Sequence, residues 1–217
     1  MEPWAQNLID GLTGEVTVVD ASEHVALDEE DEADGHGDHA EHGGFDPHIW
    51  TDPNNAKLMV DNITNALSAA DPVNSGYYQT NAAAYKEQLD ELDSAFRAVV
   101  ENGARREIVF GGRFALHYFA KEYGLTYLAA FDSCSSETEP SAKAVAQIIS
   151  EIETKGIPVI YYEELTDPKV ARSISEETGV KMLLLHSCHN VSKEDLQNGV
   201  TYLSLMQQNV ENLREGL

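Results

Sequence analysis

The second half of the chain alternates short apolar runs with longer segments whose apolar residues recur every three or four positions. The apolar runs "EIVFGG", "TYLAAF", "PVIYYE" and "KMLLLHS" predict β-strands over 107–112, 126–131, 158–163 and 181–187. The periodic segments predict helices over 114–124, 141–156, 168–179 and from Lys193 towards Leu217. Strands that alternate with helices in this way predict an α/β fold, in which helices cover both faces of a parallel sheet.

The first half is mostly helical in pattern. The segment 4–12 is helix-like, and the short β-branched run "EVTVVD", residues 15–20, predicts a buried strand. Residues 52–72 predict a helix that Asp52-Pro53 opens and that ends before Pro72. From Tyr77 to Val100 apolar residues again step by three or four, which predicts a helix about 40 Å long at a rise of 1.5 Å per residue. That length suits a connection between two lobes.

Ligands of parallel α/β sheets bind beyond the carboxyl ends of the strands. The residues that directly follow the predicted strands are 111–113, 132–139, 163–164 and 186–189. Chemistry-bearing side chains in these four segments are therefore the first candidates for a site in this half of the chain.

Composition narrows the possible partners. The 217 residues include 38 acidic and 14 basic side chains, for a formal charge of -24. Such a charge repels phosphate backbones and anionic lipid surfaces and concentrates cations, so we expect no nucleic-acid partner. No segment approaches the roughly 18 apolar residues of a membrane span. The first residues, "MEPWAQNLID", lack the basic and apolar regions of a secretory signal.

A low-complexity segment, residues 27–44, consists largely of Asp, Glu, Gly and His. This composition buries too little apolar surface to offset its ordering entropy, so we expect mobility unless a metal orders it. Its histidines, His36, His39 and His42, predict a low-affinity metal tether, because imidazole is the commonest ligand for zinc. The alternative is an ordinary solvated polar loop.

His48 stands in a more rigid context. The sequence "FDPHIWTDP" brackets it with prolines and places Trp50 two residues on. A fixed backbone and a packed Trp50 would hold one imidazole in a defined direction, as a metal ligand requires. His48 is therefore a candidate metal ligand.

The predicted strand ends carry further candidates. His186 follows the apolar run "KMLLL", and "HSCH" places Cys188 beside it, while Cys134 and Glu139 lie in "DSCSSETE" after another strand. These groups could be metal ligands. Alternatively, His186 bonds a backbone carbonyl and Cys188 is buried or joined to Cys134 in a disulfide. His117 lies within a predicted amphipathic helix and fits a structural role better than a ligand role.

Catalytic motifs are absent from the sequence. It contains no HExxH or GxSxG, and "FGGRF" lacks the lysine and the spacing of a P-loop. A metallohydrolase would need an open coordination position beside a carboxylate base, and nothing indicates a substrate pocket of that kind. We therefore expect a binding protein and not an enzyme.

Several segments resemble one known family. "FDPHIWTDPNNAKLMVDNI", "IVFGGRFALHYFAKEYGL", "SETEPSAKAVAQIISEIETKGIPVIYYEE" and "GVTYLSLMQQNVENLREGL" are similar to the metal-binding receptors of bacterial ABC importers, the zinc and manganese solute-binding family. The resemblance covers nearly the whole chain. It implies two α/β lobes joined by one long helix, a metal ion held between the lobes, and an exported or lipid-anchored receptor that delivers metal to a permease. In zinc-type members a His- and acid-rich loop precedes the HxW motif; here that loop is residues 28–44.

The resemblance also assigns ligands. The second family ligand falls on His48, and the fourth, usually Asp, falls on His186. The third, a His or Glu, falls on Arg113, whose guanidinium stays protonated and cannot ligate a cation. The first has no counterpart, because the resemblance places the start of this chain near the end of the first lobe.

These departures predict a changed site. One possibility is a relocated site that draws on His48, His186, Cys134, Cys188 and Glu139, and imidazole and thiolate donors would then favour Zn²⁺ over Mn²⁺. The other is weak or lost metal binding, with Arg113 paired to Glu137 or Glu139.

Together the pattern and the resemblance predict three parts: a remnant of the first lobe at 1–52, helices including the long one at 53–103, and a complete C-terminal α/β lobe at 104–217. The expected function is metal capture outside the cytoplasm for an ABC zinc importer. The alternative is an interaction or adhesion module that keeps the receptor fold. An incomplete first lobe would leave sheet edges uncovered, so a dimer formed through it is also expected.

Overall fold

The computed structural model describes residues 3–14, 16–28, 45–131 and 140–217. The chain divides into two compact units, Met1–Glu91 and Leu92–Leu217. The boundary falls inside the long helix α3 (Ser75–Asn102), which confirms the predicted helix at 77–100 and extends it at both ends. The finer division of the chain at residues 52 and 103 stays a prediction.

The regular elements described in the first unit are helices and 3-10 turns. It contains α1 (Pro3–Asp10), a 3-10 turn at Ile49–Thr51, α2 (Pro53–Ala70), a second 3-10 turn at Pro72–Asn74, and the start of α3. Helix α2 begins where the sequence predicts, because Pro53 fits the first turn and the Asp52 carboxylate accepts the Asn54 N–H at 2.8 Å.

Long-range polar contacts join the pieces of this unit. Asn62 on α2 donates to the carbonyls of Ala21 and Glu23 at 3.0 and 2.8 Å, which anchors the segment 16–28. Lys86 on α3 pairs with Asp61 on α2 at 2.5 Å. The segment 16–28 is therefore held on α2 although it forms no regular element.

The predicted strand at 15–20 is wrong for the residues that the structure describes. Residues 16–20 form no strand, and Val16, Val18 and Val19 are exposed at 54, 52 and 41%. A β-branched run becomes a strand only where a neighbouring strand supplies backbone partners, and the described part of this unit offers no sheet to join.

The second unit contains the predicted parallel sheet. Its strands are β1 (Glu107–Arg113), β2 (Thr126–Phe131), β3 (Val159–Tyr162) and β4 (Lys181–Leu184), in the order β2-β1-β3-β4, with every pair parallel. Its helices, after the end of α3, are α4 (His117–Tyr123), α5 (Ala142–Lys155), α6 (Lys169–Thr178), α7 (Lys193–Gln197) and α8 (Tyr202–Gly216). The alternation of strands and helices predicted from the sequence is confirmed.

Helices cover both faces of this sheet. On one face Val109 and Ile160 pack against Ile148 of α5 and Ile174 of α6. On the opposite face the next residue of β3, Tyr161, donates its hydroxyl to the carbonyl of Asn212 in α8 at 3.2 Å. Neighbouring residues of a strand point to opposite faces of the sheet. Because both faces are covered by helices, residues of either direction are apolar, and the strand sequences are nearly continuously apolar.

Two helices differ from their predicted bounds. Helix α4 begins at His117 instead of residue 114, and Phe114 and Leu116 are buried in the connection from β1. The predicted final helix is two helices, because the chain turns at Gly199 (φ +73°) and restarts at a capping box formed by Thr201 and Ser204.

The strand order creates one switch point in the sheet. The chain leaves β1 towards β2 on one side, whereas β3 and β4 lie on the other side of β1. Connections that diverge in this way open a crevice beyond the carboxyl ends of the two central strands, which here are β1 and β3.

Candidate metal-ligating residues

His48 is buried in the first unit, with 3% of its surface exposed. It caps the 3-10 turn Ile49–Thr51, and its carbonyl accepts the Thr51 hydroxyl at 2.8 Å. The Trp50 ring lies edge-on to the imidazole, with ring centroids 5.4 Å apart. The proline-bracketed segment therefore fixes this ring, as the sequence predicts.

Asp46 orients the His48 ring. One carboxylate oxygen, Oδ1, accepts the backbone N–H of His48 at 2.8 Å and lies 2.7 Å from His48 Nδ1. Both side chains are buried. A carboxylate that holds one imidazole nitrogen fixes the tautomer of the ring, so a metal ion bound to His48 would be bound through Nε2.

Asp46 is not among the site residues predicted from the sequence. A usable signal was present, because an Asp two residues before a His can fold back onto the His backbone in an Asx turn, and Pro47 between them restricts the chain. The backbone of Asp46 is itself anchored, since its N–H donates to the carbonyl of Asp28 at 3.0 Å.

His186 lies beyond the end of β4 in the second unit and is 5% exposed. Asn209 of α8 holds its backbone: Asn209 Oδ1 accepts the His186 N–H and Asn209 Nδ2 donates to the His186 carbonyl, each at 2.8 Å. The backbone N–H of Cys188 donates to His186 Nδ1 at 2.8 Å. Nδ1 is thus an acceptor, and the neutral ring carries its proton on Nε2.

This arrangement is the reverse of the one at His48. A metal ion could bind His186 at Nδ1 only by displacing the Cys188 N–H, or at Nε2 only after the proton moves to Nδ1, which also breaks that hydrogen bond. Burial lowers the pKa of His186, although the nearby carboxylates of Glu164 and Asp195 oppose the shift. The ring is therefore neutral near pH 7, but its hydrogen bonding does not prepare it for a metal.

Glu164, which follows β3, fastens the His186 loop. Its carboxylate accepts the Ser187 hydroxyl at 2.6 Å and the Ser187 N–H at 2.9 Å. Burial acts to raise the pKa of Glu164, but the two hydrogen bonds from Ser187 outweigh it and the pKa lies below its usual value. The carboxylate is consequently charged and already engaged.

Cys188 carries a free thiol. Its backbone is left-handed, with φ +58°, and burial raises the pKa of the thiol to about 12. The thiolate is the form that ligates metals, so the side chain would have to lose its proton on binding. The structure brings His186 and Cys188 together through the hydrogen bond from the Cys188 backbone N–H to His186 Nδ1.

Arg113 is the last residue of β1 and lines a cleft of about 250 Å³ at the switch point of the sheet. The resemblance gives this position to the third metal ligand. Among the residues that the structure describes, no carboxylate pairs with it. The pairing with Glu137 or Glu139 concerns partners outside the described residues.

The remaining predicted ligands, Cys134, Glu139, His36, His39 and His42, also lie outside the described residues. Within residues 3–14, 16–28, 45–131 and 140–217 no three His, Cys, Asp or Glu side chains are grouped so that they could hold a metal ion. No helix in this described part of the chain is both long and apolar enough to cross a membrane.

The parallel sheet covered on both faces and the long helix match the fold of the α/β solute-binding proteins to which this chain is similar. The chain belongs to the ZnuA family, "zinc-uptake complex component A periplasmic", whose model matches residues 1–216. This confirms the family that the sequence motifs indicated. Members of the family are periplasmic proteins or lipoproteins that serve zinc uptake systems.

Three similar proteins illustrate the relationship. The chain is 32% identical to the zinc-binding protein AdcA of Streptococcus pyogenes over 99% of its own length and 44% of the relative's. It is 32% identical to the high-affinity zinc uptake system protein ZnuA of Bacillus subtilis, over 100% of this chain and 69% of that protein. The crystal structure of the Zn(II)-bound ZnuA-like domain of Streptococcus pneumoniae AdcA superimposes with a TM-score of 0.78 at 31% identity, covering 100% of this chain and 76% of that one. The chain thus spans less than half the length of AdcA.

Proposed function

We propose that this chain is the zinc-binding receptor component of an ABC-type metal importer, which captures zinc outside the cytoplasm and delivers it to a membrane permease. The observation that carries the proposal is the family match over residues 1–216, together with relatives named for zinc binding and zinc uptake. The same comparisons favour a receptor over an interaction or adhesion module. Its role would be binding, and it would catalyse no reaction.

Within the first unit, His48 is the proposed zinc ligand. The Asp46 carboxylate at 2.7 Å from Nδ1 supports this role, because it orients the ring with Nε2 as the coordinating atom. A neutral imidazole suits Zn²⁺ better than Mn²⁺, which prefers oxygen donors. Zinc is therefore the proposed cargo, and manganese the less favoured one.

Within the second unit, His186 and Cys188 are proposed as weaker ligands. Each needs a rearrangement first: His186 must give up the hydrogen bond from the Cys188 N–H, worth about 1 kcal/mol, and Cys188 must lose its proton. Cys134 and Glu139 are further proposed ligands. His36, His39 and His42 are proposed to gather zinc at low affinity, supported by their spacing in an acidic segment.

Competition between the intact, metal-free chain and a fluorescent zinc chelator tests the proposal. We expect the wild-type chain to bind zinc tightly and manganese more weakly. His48→Ala should lower the zinc affinity by more than the roughly 10- to 100-fold typical of removing a residue that hydrogen-bonds a metal ligand. His24→Asn is the matched control, because His24 is an exposed histidine of the same unit with φ +67°, a backbone geometry that Asn tolerates. Zinc affinity that is equal in both variants would refute the role of His48, and no zinc binding by the wild-type chain would refute the receptor function.

A further inference from the structure

The cleft at the switch point of the second unit is built from the ends of three strands. Gly111, Gly112 and Arg113 end β1, Phe131 ends β2, and Glu163 follows β3. Its volume of about 250 Å³ is below the roughly 300 to 1,000 Å³ of pockets for drug-sized ligands. The cleft therefore has room for a small solute only.

Charged side chains of both signs line this cleft. Arg113 and Lys169 supply positive charge, and Glu163 and Asp167 supply negative charge. Asp167 lies in an exposed ion pair, because its carboxylate accepts from Arg172 at 2.9 Å. The other three charged residues of the lining are Arg113, Lys169 and Glu163.

These three charges do not neutralise one another. Among the described residues no ion pair or hydrogen bond joins the Arg113, Lys169 or Glu163 side chain to any partner. The Glu163 carboxylate lies against Gly112, so closely that a Cβ on Gly112 would come within 1.6 Å of Oε2. Arg113 and Glu163 are both half-buried, so a partner that paired them would be worth more there than on an open surface.

A ligand that carries both charges would satisfy this arrangement. The planar guanidinium of Arg113 suits a carboxylate, which it can bind through two parallel hydrogen bonds, and Lys169 adds a second positive charge. The Glu163 carboxylate suits an ammonium group. Phe131 and Val170 supply apolar surface for a short side chain.

We infer that this cleft binds a small zwitterionic α-amino acid, with the ligand carboxylate on Arg113 and Lys169 and its ammonium on Glu163. Arg113 occupies the position where the resemblance places a metal ligand; its guanidinium cannot ligate a metal ion, but it can bind a carboxylate. The inference does not depend on the zinc proposal, since Arg113, Lys169 and Glu163 are not among the proposed zinc ligands.

Calorimetric titration of the intact, zinc-free chain tests the inference, because without zinc an amino acid cannot bind by chelating it. Three probes are compared. L-Alanine carries both charges, acetate carries the negative charge alone, and methylammonium carries the positive charge alone. L-Alanine is expected to bind at least about tenfold more tightly than either single-charge probe, since each of those leaves one charge of the cleft unpaired.

Variants separate the two halves of the cleft. Arg113→Gln should weaken both L-alanine and acetate by about tenfold or more, whereas Glu163→Gln should weaken L-alanine alone. Arg113→Lys keeps the charge without the planar fork and should lie between wild type and Arg113→Gln, which keeps the test valid if Arg113→Gln does not fold. Lys143→Gln, an exposed change on α5, is the matched control and should bind as wild type does.

Three results would overturn the inference. One is the absence of L-alanine binding by the wild-type chain. Another is acetate binding as tight as L-alanine binding and insensitive to Glu163→Gln, which would make the cleft a simple anion site. The third is unchanged L-alanine affinity in both folded cleft variants.

Discussion

The Asp46 carboxylate offers the sharpest test of how the first unit prepares its histidine. Both of its contacts with His48, the backbone N–H at 2.8 Å and Nδ1 at 2.7 Å, use the same oxygen, Oδ1. In Asp46→Asn an amide oxygen can occupy that place, so this variant removes the negative charge and keeps the geometry. Asp46→Ala removes both the charge and the two contacts.

The two variants should therefore weaken zinc binding by graded amounts. Removing a carboxylate behind a metal-bound imidazole typically costs 10- to 100-fold in affinity, or about 1.4 to 2.8 kcal/mol. We expect Asp46→Asn near the lower limit, about tenfold, and Asp46→Ala near the upper limit, about a hundredfold. Asp46→Ala should also lower the free energy of unfolding by about 1 to 3 kcal/mol, since a buried N–H loses its acceptor.

Chelator competition gives the zinc affinity, and thermal unfolding with and without zinc gives the stability. The matched control is Asp61→Asn, which breaks an ion pair with Lys86 on the surface of the same unit. Such a pair is worth at most about 1 kcal/mol of stability and should leave zinc affinity unchanged. If both Asp46 variants bind zinc as tightly as wild type, the carboxylate does not support a metal ligand and the reasoning fails.

Three further predictions concern the second unit. Gly111→Ala should lower the free energy of unfolding by about 1 to 3 kcal/mol, because its Cβ would lie 2.6 Å from atoms of the facing helix α6. The control Gly76→Ala meets nothing within 4 Å and should be neutral or stabilising. Urea unfolding measures both variants, and equal stabilities would contradict the close contact at Gly111. Asn209→Leu should lower the free energy of unfolding by about 2 kcal/mol or more and speed amide exchange at His186, because it leaves the buried N–H and carbonyl of His186 unpaired. Unchanged exchange would show that Asn209 does not hold the His186 backbone. In the variant Cys134→Ser, the Cys188 thiol should react with iodoacetamide at pH 8 at least about a hundredfold more slowly in the folded chain than in the urea-unfolded chain. The reason is that a thiol pKa of about 12 leaves very little thiolate at pH 8. Similar rates in the two states would contradict the raised pKa.

Local periodicity was enough to predict most of the secondary structure. The long helix α3 and the amphipathic helix α5 follow from apolar residues that recur every three or four positions, and the four strands follow from short apolar runs between turn residues. The prediction of a strand at 15–20 was wrong because strand formation depends on a partner strand, which a local pattern cannot reveal. The break at Gly199 was missed because the apolar pattern continues on both sides of the turn.

The candidate site was predicted less completely than the fold. The proline-bracketed sequence around His48 correctly indicated a buried and fixed ring. The hydrogen bond between Cys188 and His186 Nδ1 could not be predicted, because it depends on a left-handed residue in a loop that Asn209, 23 residues away, holds in place. The cleft at Arg113 depends on strand order, which brings residues from β1, β2 and β3 together at one edge of the sheet.

The most direct test of the central claim is anomalous scattering at the zinc absorption edge from crystals of the intact chain grown with zinc. We expect a peak about 2.0 to 2.1 Å from His48 Nε2, with Asp46 still bonded to Nδ1 on the far side of the ring. Zinc bound only elsewhere in the chain, or coordinated through His48 Nδ1 with Asp46 displaced, would contradict it.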